Sequence, residues 1–124
     1  MKSIELRIGN FITRKSSPDT ICHVNWGIIK EFDRCEHHEY IPIPITEKLI
    51  KRLGIKLKYL HDTFPYFDFY ASPATYRIYI DGGFAFLHYR ADKNGWYPNL
   101  KKIKYVHQLQ NIYYDLKGKE LFKK

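Results

Sequence analysis

The stretch "TYRIYIDGGFAFLHY", residues 75–89, decides the fold class. Apolar and aromatic side chains alternate with others on both sides of Asp81-Gly82-Gly83. Asp-Gly between two alternating runs is a strong short-range hairpin signal. Successive side chains of a strand point to opposite sides, so such a hairpin has two unlike faces. The aromatic density is wider than the hairpin itself: Tyr66, Phe67, Phe69, Tyr70, Tyr76, Tyr79, Phe84, Phe86 and Tyr89 crowd one region. Alternation sends roughly half of them into a core and leaves the remainder facing outward.

Toward the N-terminus, "LRIGNFITRK" (6–15) sets Leu6, Ile8 and Ile12 around the turn-prone pair Gly9-Asn10. "TICHVNWGIIKEF" (20–32) reads as a further strand alternating through Ile21, His23 or Val24, Trp26 and Ile28, with Gly27 permitting a bend or bulge. In "YIPIPITEKLIKRLG" (40–54), Pro42 and Pro44 exclude a central strand position. Thr46 is a plausible N-cap, Glu47 suits the positive end of the helix dipole, and Gly54 is a natural stop. Leu49, Ile50 and Leu53 form one face of this short helix, and Lys48, Lys51 and Arg52 form another. "IKLKY" (55–59) alternates strictly, with Lys56 and Lys58 to one side. "ADKNGWYPN" (91–99) reads as a loop. In "VHQLQNIYYDLKGKEL" (106–121), Val106, Leu109, Ile112, Tyr113 and Leu116 recur at helical spacing and Gly118 is the expected stop. His107, Gln108, Gln110 and Asn111 are not needed for burial on this pattern. The expected class is α+β: a small, curved, mostly antiparallel sheet or partial barrel, with two short helices over about 46–54 and 105–117, in a single domain 1–124.

The 124 residues carry a net charge of +8, unevenly placed. Residues 1–45 are neutral overall, 46–60 hold five basic side chains against Glu47, and 100–124 hold seven against Asp115 and Glu120. A clustered excess attracts a polyanion or an acidic protein face, and the plain alternative is a lysine-rich, solvated surface. No apolar run reaches bilayer length, and "MKSIELRIGNF" lacks the apolar core of a signal peptide. An intracellular protein without membrane contact is expected, and Cys22 and Cys35 are then most simply free thiols.

Recognisable chemistry is scarce. Cys22-His23 precedes Cys35, His37 and His38, but adjacent strand residues face opposite ways and do not easily chelate one ion. Asp62, Asp68 and Asp81 offer carboxylates for a metal-dependent nuclease, yet no Asp/Glu-x-Lys pairing follows them, and Asp81 is the natural turn residue. His61 and His88 lack an evident nucleophile partner, and no glycine-rich run opens a helix to hold phosphate. The expectation is no enzyme, no metal and no cofactor.

Three segments together carry a resemblance: "ELRIGNFI" (5–12), "IPIPITEKLIKRLGI" (41–55) and "VHQLQNIYYDLKGKEL" (106–121). They resemble a family of short uncharacterised proteins carried by prophages and mobile elements of Bacteroidetes bacteria. The family brings no established activity and no catalytic residues. It implies a phage-borne accessory protein in the cytoplasm of a bacterial host, a class that includes defence inhibitors such as anti-CRISPR proteins. The resulting expectation is a non-enzymatic binding protein, an anti-CRISPR-like inhibitor that engages an RNA-guided nuclease or its guide RNA through a basic surface. The alternative is a stand-alone nucleic-acid-binding accessory protein. The residues expected to bind the protein, ribonucleoprotein or RNA partner are Lys48, Lys51, Arg52, Lys56, Lys58, Lys101, Lys102 and Lys104, with Tyr66, Tyr70 and Trp96 as aromatic anchors.

Overall fold

The hairpin at Asp81 forms as the alternation requires, with Gly82 in the left-handed region at φ 62°. A computed structural model of the chain describes residues 6–34, 39–61, 64–90 and 95–122. The elements in order are β1 (Phe11–Arg14), β2 (Ser17–His23), α1 (Trp26–Arg34), β3 (Tyr40–Pro42), α2 (Glu47–Arg52) and β4 (Lys58–Leu60). There follow β5 (Phe64–Ala71), β6 (Ala74–Asp81), β7 (Phe84–Arg90), β8 (Tyr97–Ile103) and α3 (Val106–Lys117). The class is α+β with antiparallel pairing, as the sequence predicts. The strands form two sheets, ordered β2-β1-β3 and β4-β5-β6-β7-β8, and neither closes into a barrel.

Two elements differ from the sequence reading. Residues 26–34 are helix, where a strand through Trp26 and Ile28 is expected. Asn25 explains the change: its Oδ1 accepts from Ile28 N at 3.0 Å, and its carbonyl accepts from Ile29 N at 3.1 Å. An asparagine that caps in this way ends the strand and opens a helix. Ile28, Ile29 and Phe32 then share one side, packed with Leu6, Ile12, Val24 and Tyr40. The second difference is β8, which takes Tyr97, Pro98 and Asn99 out of the expected loop. Pro98 is tolerated because β8 is an edge strand. The alternation expected among the aromatics from Tyr66 to Tyr70 is that of β5, "FPYFDFYA", whose buried Pro65, Phe67 and Ala71 alternate with more exposed neighbours. Pro42, for its part, lies on the edge strand β3.

The two helices read from the sequence are present at nearly the expected bounds. Thr46 Oγ1 accepts from Leu49 N at 3.1 Å to cap α2, and Gly118 at φ 71° ends α3 by donating from its N–H to the Tyr114 carbonyl at 2.8 Å. The main core lies between these helices and one face of the five-stranded sheet. Ile50 of α2 and Val106 and Leu109 of α3 pack there with Phe67, Ile78, Ile80, Ala85, Leu87 and Ile103.

The polar side of α3 is a correction. His107 and Gln110 are fully buried rather than surplus to burial. Gln110 Oε1 accepts from Phe11 N at 2.7 Å and its Nε2 donates to the Gly9 carbonyl at 3.3 Å, so α3 holds the start of β1. Asn111 Oδ1 accepts from Asn10 Nδ2 at 2.8 Å and from Arg7 Nε at 3.2 Å. Arg7 also pairs with Glu120 and lies over the Tyr114 ring, 4.1 Å from its centroid. Gln108 Oε1 accepts from Lys104 N at 3.0 Å and Tyr105 N at 3.1 Å, which caps the helix start. His107 stacks on Tyr105, ring centres 5.9 Å apart. The polar residues of this stretch tie the two ends of the chain together.

Candidate functional site

Register divides the aromatics of the five-stranded sheet cleanly. The rows Phe67–Ile78–Leu87 and Ile80–Ala85–Ile103 face the helices and the core. Phe69, Tyr76, Tyr89 and Tyr97 continue that face as a ladder with ring centres 5.4, 6.5 and 5.5 Å apart, joined to α3 where Phe69 meets Tyr113 at 4.7 Å. Burial pushes the Tyr113 hydroxyl pKa up, which keeps it a neutral phenol.

The opposite face has no described element packed on it. One row crosses all five strands: Lys58 pairs with Tyr66, Tyr66 with Tyr79, Tyr79 with Phe86, and Phe86 with Lys102. Three rings are thus bracketed by two exposed lysines, one from each basic block of the sequence. Tyr66 and Tyr79 lie 5.7 Å apart between ring centres. Lys102 Nζ is 4.8 Å from the Phe84 ring centre. Nearer the Gly82 turn, the next row on this face contains Leu60, Phe64, Asp81 and Phe84, with Phe64 49% and Leu60 38% exposed.

On the other side of the central row stand Asp68, Arg77 and His88. The Arg77 guanidinium is held by both Asp68 oxygens, at 2.7 and 3.0 Å, and donates to the Tyr79 hydroxyl at 3.2 Å. It is stacked between Tyr66 and Trp96, 4.1 and 4.2 Å from their ring centres. Hydrogen bonding to Asp68 raises the Arg77 pKa still further above its ordinary value, so this cation is permanent. His88 meets Tyr79 edge-on at 4.8 Å, and burial followed by the Arg77 charge lowers its pKa. Arg90 lies 5.5 Å from the Trp96 ring centre. The face therefore carries Lys58, Arg77, Arg90 and Lys102 against Asp68 and Asp81, and Arg77 already neutralises Asp68.

The expected binding residues do not all gather here. Lys58, Lys102, Tyr66, Tyr70 and Trp96 belong to this face, Tyr70 being 57% exposed in the row of Thr75 and Arg90. Lys48, Lys51 and Arg52 ride on α2, which packs against the helix-covered side of the sheet. There Lys51 lies 3.4 Å from Glu47 and 5.1 Å from the Tyr59 ring centre. The Tyr59 hydroxyl donates to Glu47 Oε1 at 2.6 Å and holds that carboxyl below the usual range. The same hydroxyl raises the Lys51 pKa. Lys56 and Lys104 are exposed on the connections before β4 and after β8. The side chain of Lys101 lies outside the described residues.

Sequence reading missed Tyr79, Phe86, Arg77 and Arg90 as members of this surface. The signal that marks Tyr79 and Phe86 is mirror placement: they are equidistant from the Gly82-Gly83 turn, as Tyr66 and Tyr79 are from Ser72-Pro73. Of the metal and nuclease candidates, Cys35, His37, His38 and Asp62 lie outside the described residues. Among the described residues no group of three His, Cys, Asp or Glu side chains gathers around a common point, and no helix is long and apolar enough to cross a membrane. No protein-family model, curated protein or solved structure matches the chain.

Proposed function

We propose that the protein is a non-catalytic binding module that takes RNA on the open face of its five-stranded sheet. The observation that carries the reading is the row Lys58–Tyr66–Tyr79–Phe86–Lys102, in which cations flank three half-buried rings on a face no described element covers. Sheets that bind RNA bases use aromatic side chains as stacking surfaces and cations for the phosphates, and this row holds both. A catalytic role has no comparable support. Asp68 is consumed by Arg77, and Asp81 is the residue that opens the hairpin turn.

Fluorescence anisotropy with a labelled single-stranded RNA tests this directly. Binding is expected at low salt, weakening steeply toward physiological salt as counterions return to the phosphates. No affinity at low salt overturns the reading. An inhibitor of an RNA-guided nuclease would present the same face to the guide RNA of its target. In that narrower form, a tagged protein recovers a ribonucleoprotein from host lysate, and RNase treatment releases it. Recovery that survives RNase moves the contact to the protein component.

A further inference from the structure

We infer that the open face takes a single strand running across the β-strands, not along them, with one base against each of Tyr66, Tyr79 and Phe86. Lys58 and Lys102 meet the phosphates at the two ends. This rests on the proposed RNA-binding reading and specifies its ligand and direction.

Spacing is the first argument. Five strands separated by about 4.8 Å put the Lys58 and Lys102 backbones about 19 Å apart. Tyr66 and Tyr79 stand 5.7 Å apart, against a rise of about 3.4 Å per nucleotide in B-DNA and less in A-form RNA. Bases stacked as in a duplex cannot match that interval, whereas an extended single strand can place one base on each ring. A duplex also hides its base faces from the protein, leaving sugars, phosphates and groove edges.

The neighbouring rows supply the direction. A strand running parallel to β5 and β6 from Tyr66 meets Arg77, whose guanidinium is stacked between Tyr66 and Trp96 and clasped by Asp68. That column already fills the stacking space on one side of the central row. Toward the Gly82 turn, the next row sets Phe64 and Phe84 on either side of Asp81, whose carboxylate repels phosphate. Across the strands, the row is apolar in the middle and cationic at both ends. This direction places three base contacts between phosphate contacts at both ends, whereas the row nearer the turn carries a carboxylate among its rings.

The test is an anisotropy series with oligouridylates of two to eight nucleotides and a twelve-base-pair RNA duplex, on the full chain. Affinity should climb to three or four nucleotides and then level, and the duplex should bind at least about tenfold more weakly. Lys58→Ala and Lys102→Ala should each lower the salt slope by about 0.7, the single-strand value per phosphate released. Tyr79→Ala and Phe86→Ala should weaken binding roughly 5- to 150-fold without changing that slope. Circular dichroism must show both aromatic variants folded, and Phe86→Leu repeats the measurement with less lost volume. Asp81→Asn should tighten binding slightly. Duplex bound as well as single strand overturns the inference while leaving RNA binding intact. So does a slope that responds to Lys48→Ala or Arg52→Ala but not to Lys58→Ala or Lys102→Ala. Absence of binding to any of these RNAs overturns the inference and the proposed function together.

Discussion

Tyr76 and Tyr79 lie three residues apart on one strand, and they live in different solvents. Tyr76 belongs to the face that meets Phe69 and, through it, Tyr113 of α3. Tyr79 belongs to the face where Arg77, Tyr66 and His88 are its neighbours and no described element lies above. The two faces have similar aromatic content. They differ in what separates the rings: Ile78, Ile80, Ala85 and Leu87 on the inner side, and arginine, lysine and aspartate on the outer. Rings among aliphatic groups make a core, whereas rings spaced by cations keep a face wet and charged. An aromatic-rich hairpin is therefore not in itself a binding platform.

The largest expected effect tests this division by stability. Ile78 is fully buried between Phe67 and Leu87, and Ile78→Ala should cost about 2–5 kcal/mol in urea unfolding. Tyr79→Ala, one residue on and facing outward, should cost about 1 kcal/mol or less. Equal losses would erase the distinction between the faces.

Next comes the tie between the chain's two ends. Gln110→Leu keeps the volume but leaves Phe11 N–H and the Gly9 carbonyl without their buried partner. A loss of about 1–3 kcal/mol is expected, with unfolding still cooperative and RNA affinity of the folded protein unchanged. A change in affinity would mean that the outer face depends on how β1 is held.

Gln110 and its neighbour Asn111 also mark the limit of what the sequence discloses. Asp81-Gly82-Gly83, Thr46 with Glu47, and Gly118 are legible because a turn or cap is a local event, decided within a few residues. Asn25 is equally local, but it sits between apolar runs that also satisfy a strand period, so α1 is read as a strand until the cap is seen. Gln110 and Asn111 answer to Gly9, Asn10 and Phe11, about a hundred positions away, and no periodicity reports such a partner. The open face is half legible for the same reason. Alternation says that Tyr66 and Tyr79 each choose a side, but only register shows that they share one. Lys58 and Lys102 come from separate basic blocks and meet the same row because β4 and β8 are its two edges. Lys48, Lys51 and Arg52, close to Lys58 in sequence, are carried by α2 to the other side.

A smaller effect is expected from the Arg77 column. Asp68→Asn removes a two-point ion pair that is only partly screened, the side chains being 15% and 28% exposed. About 1 kcal/mol should be lost, because the pair is partly exposed to water and the guanidinium keeps the Tyr79 hydroxyl and its two ring neighbours. The sharper readout is Trp96 fluorescence in a Trp26→Phe background, which should shift as the released guanidinium leaves the stack. An unchanged spectrum would show that Tyr66 and Trp96 hold Arg77 without the carboxylate.

The smallest effect belongs to His88, where the requirements of fold and of binding oppose each other. Burial and the neighbouring Arg77 lower its pKa below the ordinary 6.5, so the fold favours the neutral ring. The unfolded chain binds the proton more readily, and the linkage sign follows. Stability is fully present above about pH 6.5 and declines as pH falls through the unfolded value toward the folded one, then levels. His88→Gln should flatten that acid-side decline in thermal melts between pH 7 and pH 5, leaving the melting temperature near pH 8 largely unchanged. For RNA the sign reverses. A protonated His88 adds a cation beside Tyr79, so binding in this interval should strengthen as the fold weakens, and the gain should vanish in His88→Gln. If stability and affinity instead fall together with pH, and both slopes survive the substitution, the titrating group lies elsewhere and His88 is only a packing residue.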